Sequence, residues 1–243
     1  MIIGNGLIAN KLKDLSFCRS LTEHKSVFFA SGVSNSKETR PAEFQRELEL
    51  LSRYTSEPGQ LVYFGTCSIF DPSAKENPYI KHKLSIEESL SQRPNTLVIR
   101  LPNVVSRKAS ANTLIKHLYQ LLINGDTINV WQKATRSLIH IDEVGSIVTS
   151  LAERLYGQNN FINVCAPQMI SIIEILEIMQ DATNIKAKRE LVDKGACYSI
   201  DTTRVIDEVD DYHNIFNDNY YQAVLKKFCE EMRLYEERCK RMI

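Results

Sequence analysis

The chain has 243 residues, 43% of them hydrophobic and 25% charged, and its thirty basic residues balance thirty acidic ones. That length holds one large unit, or one with a smaller lobe, and zero net charge gives no bulk electrostatic case for a nucleic-acid partner. The six cysteines form no Cys-x-x-Cys pair and the five histidines keep no ligand spacing, so no disulfide framework and no metal site is expected, only free thiols in a reducing cytoplasm. No basic-then-apolar leader opens the chain, and no apolar run approaches the ~18 residues that would span a bilayer. A cytoplasmic protein without membrane contact is therefore expected.

In chain order, Met1 to Ile3 is a short apolar strand that enters Gly4-Asn5-Gly6-Leu7-Ile8-Ala9. Ile8, Leu12 and Leu15 then recur at helical spacing. Glycines permit a tight turn and close backbone approach, and the helix start offers unpaired N–H groups to a phosphate. As a motif the turn is weak; its place directly after an apolar strand is what points to a dinucleotide. Val27 to Gly32 reads as a buried strand running out through the small residues Ala30, Ser31 and Gly32. Phe44, Leu48 and Leu51 mark a helix with charged residues on its other side, and Pro58-Gly59 ends that segment.

Leu61 to Phe64 is the next buried strand, ending in Gly65-Thr66. A proline-bearing loop leads to a helix carrying Pro78-Tyr79-Ile80-Lys81-His82-Lys83, with Ile80 and Leu84 assigned to one face. Tyr79 and Lys83 lie one helical turn apart. An ammonium there favours phenolate and is expected to pull the tyrosine pKa down from about 10. Thr66 can hold a substrate oxygen against Tyr79. The spacing alone is near what chance supplies, and the bland alternative is an exposed helix with a solvated lysine.

Thr96 to Leu101 is a further strand, stopped by Pro102-Asn103. Strands alternating with helices imply a parallel sheet with ligands beyond its carboxyl edge. The glycine turn, Ser31-Gly32, Thr66 and Asn103 all fall at that edge. Later, Thr113 to Leu122 is predicted helical and Ile128 to Trp131 an edge strand. Ser137 to Asp142 leads to a helix capped by Asp142, and Phe161 to Val164 is a strand. Ser171 and Glu174 form a capping-box pattern, and Val224, Leu225, Phe228 and Met232 form a docking face on a C-terminal helix from Tyr220. His140 reads as structural rather than catalytic.

The order of these pieces resembles the extended short-chain dehydrogenases/reductases, and within them the NAD-dependent epimerase/dehydratase group acting on nucleotide sugars. The resemblance rests on Gly4 to Ala9, Val27 to Gly32, Thr66 with Ile69-Phe70, Pro78-Tyr79 with Lys83, Arg100 to Val105, Arg136 to Val144 and Asp201 to Arg204. It implies an α/β chain: a Rossmann-like, doubly wound parallel sheet, shortened, over residues 1–104, with later segments rejoining it. Residues 105–243 would form a small C-terminal α/β substrate lobe.

The same resemblance implies Thr66, Tyr79 and Lys83 as catalytic residues. Gly4, Gly6, Leu7, Ile8, Ala30, Ser31 and Gly32, with Tyr79 and Lys83, would hold NAD or NADP, which are not distinguished. Asn103 and Arg136 would face a nucleotide sugar, Arg136 pairing its diphosphate through bidentate bonds. The plainer alternatives are a turn residue for Asn103 and a surface ion pair for Arg136. A homodimer through the helices around Phe44–Leu51 and Ile80–Leu90, and a role in polysaccharide biosynthesis, are also implied.

Two departures stand out. Only about twenty residues separate Gly6 from Val27, where the family has a further strand, helix and strand of ~30 residues or more. The adenine half of the cofactor site is therefore expected to be cut away, with Glu23 the only acid close to the ribose-binding offset. Cys67-Ser68 also stand where a dehydratase carries an Asp-Glu pair. The expected activity is 4-keto reduction or C4 epimerisation of a nucleotide sugar by hydride transfer. The alternative is a non-catalytic nucleotide or nucleotide-sugar binding descendant with a vestigial cofactor site.

Overall fold

A computed structural model of the chain describes residues 1–15 and 25–241. Its centre is a parallel sheet of five strands in the order β1 (Ile2–Ile3), β2 (Ser26–Phe29), β3 (Gln60–Thr66), β4 (Thr96–Leu101), β9 (Asn160–Asn163). The chain is thus α/β and Rossmann-like, shortened as expected. Among the described residues no strand lies beyond β1, so the strand that feeds the glycine turn is a sheet edge. Glu23 lies outside the described residues.

Period-2 alternation explains the layers. Phe28, Val62, Phe64, Leu97 and Ile99 face one side, where they meet Leu12 of α1 (Leu7–Leu15) and Ile147, Val148 and Leu151 of α5 (Ile141–Arg154). Val27, Phe29, Leu61, Tyr63 and Val98 face the other, against Leu51 of α2 (Pro41–Thr55) and Ile86 and Leu90 of α3 (Pro78–Ser91). Strands apolar on both faces are what a sheet covered by helices on both sides requires.

Beyond β4 the chain builds β5 (Asn103–Val105), α4 (Leu114–Asn124), β6 (Thr127–Trp131), β7 (Thr135–Arg136) and β8 (Leu138–His140). After α5 and β9 come β10 (Ile170–Ser171), α6 (Ile172–Thr183), β11 (Lys188–Val192), α7 (Thr203–Glu208), α8 (Tyr212–Ile215) and α9 (Tyr220–Arg241). Pairs β5–β8, β7–β10 and β6–β11 form three small two-stranded sheets. The Ser171–Glu174 capping box forms in both directions. Val224, Leu225, Phe228 and Met232 are all buried along α9.

Three local expectations are corrected. Leu84 is 43% exposed, so α3 turns Tyr79, Ile80, Lys83, Ile86 and Glu87 inward instead. Leu48 is likewise 40% exposed, and the inward position on α2 belongs to Glu47. The cap of α5 is His140, whose Nδ1 accepts from the Asp142 N–H at 3.3 Å; Asp142 sits in the first turn.

Candidate active site

Beyond the carboxyl edge of the sheet, the strand ends line one cleft of about 1580 Å³. Its wall includes Gly6, Leu7, Ile8, Ala30, Gly32, Thr66, Tyr79, Lys83, Asn103 and Arg136, so ten of the expected site residues come together. Gly4 and Ser31 are not part of that wall. Gly4 instead shapes the turn: its φ is +120°, and a Cβ there would lie 2.4 Å from the Ala30 carbonyl oxygen. Only glycine holds that conformation in that space. Gly6 meets nothing closer than 4.0 Å on the Cβ side, leaving open space before the start of α1.

Sequence-local chemistry places the reactive groups. Asn77 Oδ1 accepts from the Tyr79 N–H at 2.8 Å, and Pro78 occupies the first helical turn, which starts α3 at the cleft. Thr66 ends β3 and caps the 3₁₀ turn Cys67–Phe70, its Oγ1 accepting from Ser68 N at 3.1 Å. The side chains of Thr66 and Tyr79 both line the cleft, and the Thr66 hydroxyl opposes the rise of the Tyr79 pKa. The expected juxtaposition of the two is found.

The expected electrostatics are not. Burial pushes the Tyr79 phenol up to about 12, and the Glu47, Cys67 and Glu87 side chains add to the rise against the Thr66 hydroxyl. Lys83 is engaged elsewhere. Lys83 Nζ donates to Glu47 Oε1 at 2.9 Å, to Tyr63 Oη at 2.9 Å and to the Phe64 carbonyl at 3.4 Å.

Glu47 is fully buried and accepts four hydrogen bonds: from Val33 N at 2.6 Å, Tyr63 Oη at 2.7 Å, His82 Nε2 at 3.0 Å and Lys83. A carboxylate only accepts, so His82 Nε2 carries the proton in that contact. Burial raises the Glu47 pKa, but the His82 bond, the Lys83 charge and the other two donors outweigh it and hold the carboxyl at about 2. Burial lowers Lys83, and the same carboxylate opposes that loss of charge. A Cβ on Gly32 would lie 2.6 Å from Glu47 Oε1 and 2.7 Å from Lys83 Nζ, so a side chain there would have to displace the tips of this pair.

On the opposite wall, Asn103 Nδ2 donates to the Ser137 carbonyl at 3.3 Å. Arg136 donates to the Thr135 carbonyl at 2.7 Å and stands 3.5 Å from Asp71 Oδ2. Asp71 is itself buried, with Oδ1 bonded to Ser73 N and Oγ. Arg136 is thus neither a free cation nor a surface ion pair, but a guanidinium with a carboxylate partner inside the cleft. His140 is buried; burial and the nearby Lys227 lower its pKa to about 4, and it serves as a helix cap.

Sequence reasoning missed Glu47, Tyr63, His82 and Asp71. For Glu47 a signal existed: it is three residues after Phe44 and four before Leu51, on the face that Leu51 buries. Among the described residues no cluster of three or more metal-ligating side chains occurs, and no helix is long and apolar enough to cross a membrane.

No family model matches the chain, and no curated protein matches it. Solved structures do share its fold. RMD from Pseudomonas aeruginosa, complexed with NADPH, superposes with a TM-score of 0.71 at 15% identity over 95% of this chain and 98% of that one. UDP-glucuronic acid 4-epimerase from Bacillus cereus, in complex with UDP-glucuronic acid and NAD, gives 0.70 at 14% identity over 95% and 81%. dTDP-glucose 4,6-dehydratase from Bacillus anthracis, in complex with NAD, gives 0.67 at 15% identity over 97% and 80%.

Proposed function

We propose that this chain, which has the fold of the NAD-dependent nucleotide-sugar epimerases and dehydratases, is a nucleotide-sugar oxidoreductase or epimerase acting by hydride transfer. The observation that carries this reading is the placing of Thr66 and Tyr79 in the same cleft as the glycine turn and Arg136. A nicotinamide, when bound, supplies or takes the hydride. Gly6 and the start of α1 suit its diphosphate, because open space lies before unpaired helix N–H groups. Ala30, Gly32 and Tyr79 suit its nicotinamide end.

Within that site Thr66 and Tyr79 hold the reacting oxygen of a sugar from one side. Tyr79 moves the hydroxyl proton, for an acid–base contribution of about 10²–10⁴ in rate. Arg136 and Asn103 face the nucleotide-sugar side, on the part of the chain after residue 104 that we assign to substrate. The free thiols Cys67, Cys165, Cys197, Cys229 and Cys239 suit a reducing cytoplasm. A place in polysaccharide biosynthesis fits a nucleotide-sugar substrate.

A second reading, a non-catalytic nucleotide-sugar binder, is favoured by one observation: the Lys83 amine is tied to Glu47 rather than offered to a ribose. Fluorescence titration with NADH and NADPH separates the two. Saturable binding of one of them below millimolar concentration is expected; no binding of either at millimolar concentration removes hydride transfer.

The outer face of α2 and α3 carries exposed Leu48 and Leu84. We assign this face to a homodimer contact. Light scattering is expected to give twice 27.8 kDa, and Leu48→Glu with Leu84→Glu to return the monomer mass. A monomeric wild type rejects the contact.

A further inference from the structure

Lys83 carries three ammonium hydrogens, and three acceptors inside the protein take them: Glu47 Oε1, Tyr63 Oη and the Phe64 carbonyl. The amine is 2% exposed although it borders the cleft. Glu47 receives it from α2, and Val33, Tyr63 and His82 fix that carboxylate from three further directions. Neither member of the pair can swing out without stranding the other in a buried site.

We propose that Glu47 is a positioning residue: it holds Lys83 inward as half of a buried ion pair, so that Tyr79 meets the substrate as a proton donor. The proposal rests on the oxidoreductase reading above and assigns the state of Tyr79 within it.

The groups facing this corner are known from every packed element. From α2 come Glu47 and Arg46; from β3, Tyr63 and Thr66; from the following turn, Cys67; from α3 itself, His82, Lys83 and Glu87. Lys83 Nζ lies 5.9 Å from the Tyr79 ring centroid, and Glu47 offsets its charge at 2.9 Å. With that charge offset, burial and the carboxylates of Glu47 and Glu87 keep the proton on the phenol near neutral pH, against Thr66. A phenol that keeps its proton is the form that gives it to a developing alkoxide.

The step balances. The sugar carbonyl carbon receives a hydride from bound reduced nicotinamide, forming a C–H bond. The C=O π pair moves to oxygen, and that oxygen takes the Tyr79 proton. The ketone is reduced, the nicotinamide oxidised, and Tyr79 regains its proton from solvent.

The test needs no cofactor. Protein carrying tyrosine labelled with ¹³C at the ring ζ carbon is titrated by NMR, with the Tyr79 signal assigned by its loss in Tyr79→Phe. In the wild type the Tyr79 resonance is expected to stay at its phenol position through pH 10. In Glu47→Gln with Lys83→Arg, whose guanidinium keeps its charge through the titration, the unopposed cation is expected to move the midpoint down by about 1–3 pH units from that of Lys83→Arg alone. In Glu47→Gln with Lys83→Met the midpoint is expected to return to the wild-type position.

A wild-type midpoint at or below pH 9 overturns the proposal whether or not any variant folds. So does a folded Glu47→Gln with Lys83→Arg, judged by near-UV circular dichroism, whose Tyr79 midpoint equals that of Lys83→Arg. If a substrate is found, the alkaline limb of keto reduction should lie lower in Glu47→Gln with Lys83→Arg than in Lys83→Arg, in step with the NMR midpoint. A protein that binds neither NADH nor NADPH yet passes the titration would retain the ion-pair device and lose only the hydride-transfer reading.

Discussion

Tyr79→Phe is expected to lower turnover of a 4-keto nucleotide sugar by about 10²–10⁴-fold, the range a positioned acid–base group supplies. The change removes one oxygen and leaves the ring, which packs with Val33 and Ile80 beside Phe44, Ile69 and Ala74. Folding should therefore be nearly unaffected. NADPH affinity, read by fluorescence, should also hold, because the groups assigned to the diphosphate lie at Gly6 and the start of α1. The loss should appear in kcat rather than KM, since the proton moves only in the transition state. Activity within threefold of wild type would remove Tyr79 from the role of acid and leave Thr66 without its partner.

The two-sided strands were legible because alternation in Val27–Phe29, Leu61–Phe64 and Leu97–Ile99 is written locally and both faces are apolar. The capping box at Ser171 and the apolar face of α9 were legible for the same reason: their signals lie within one element. The short stretch from Gly6 to Val27 also foretold a truncated sheet, and β1 is indeed an edge among the described residues. What failed needed distant partners. A glutamate at an inward helical position reads as solvated until His82 and Lys83 from α3, Tyr63 from β3 and the Val33 N–H supply its four donors. Nothing within α2 itself announces them. Leu84 misled for the complementary reason: its face of α3 turns away from the sheet.

The pKa expectation for Tyr79 failed on the same residue. Spacing along α3 brings an ammonium to the phenol's own helix face, and that alone argues for a lowered pKa. A lysine's field depends on what else it touches, and here the nearest charge is a carboxylate 2.9 Å away. Tyr-x-x-x-Lys thus specifies who is adjacent; α2 decides what the adjacency does.

Glu47→Ala should be the most destabilising single change in the cleft. It leaves Lys83 buried without its counter-charge, and breaking a buried pair from one side costs about 3–5 kcal/mol. Val33 N–H, Tyr63 Oη and His82 Nε2 lose their acceptor as well, and each buried donor left unmade adds about 1–3 kcal/mol unless the site relaxes or admits water. For a chain of this size 3–5 kcal/mol lowers Tm by roughly 6–20 °C. Lys83→Met should cost less, because it strands one carboxylate that keeps three of its four donors. The double change Glu47→Leu with Lys83→Met should recover part of the loss, since no unpaired charge remains, but not all, because those three donors stay unmet.

The acid dependence carries its own sign. The Glu47 carboxyl lies at about 2 against an ordinary value of 4.5, so its contribution, about 3 kcal/mol by linkage, is complete above pH 4.5 and lost as pH falls towards 2. The gap in denaturation midpoint between wild type and Glu47→Ala should therefore be constant from pH 7 to pH 5 and narrow below it. A gap that stays unchanged down to pH 3 would mean that Glu47 does not enter the folded state as a low-pKa carboxylate, and the ion pair with Lys83 would fall with it.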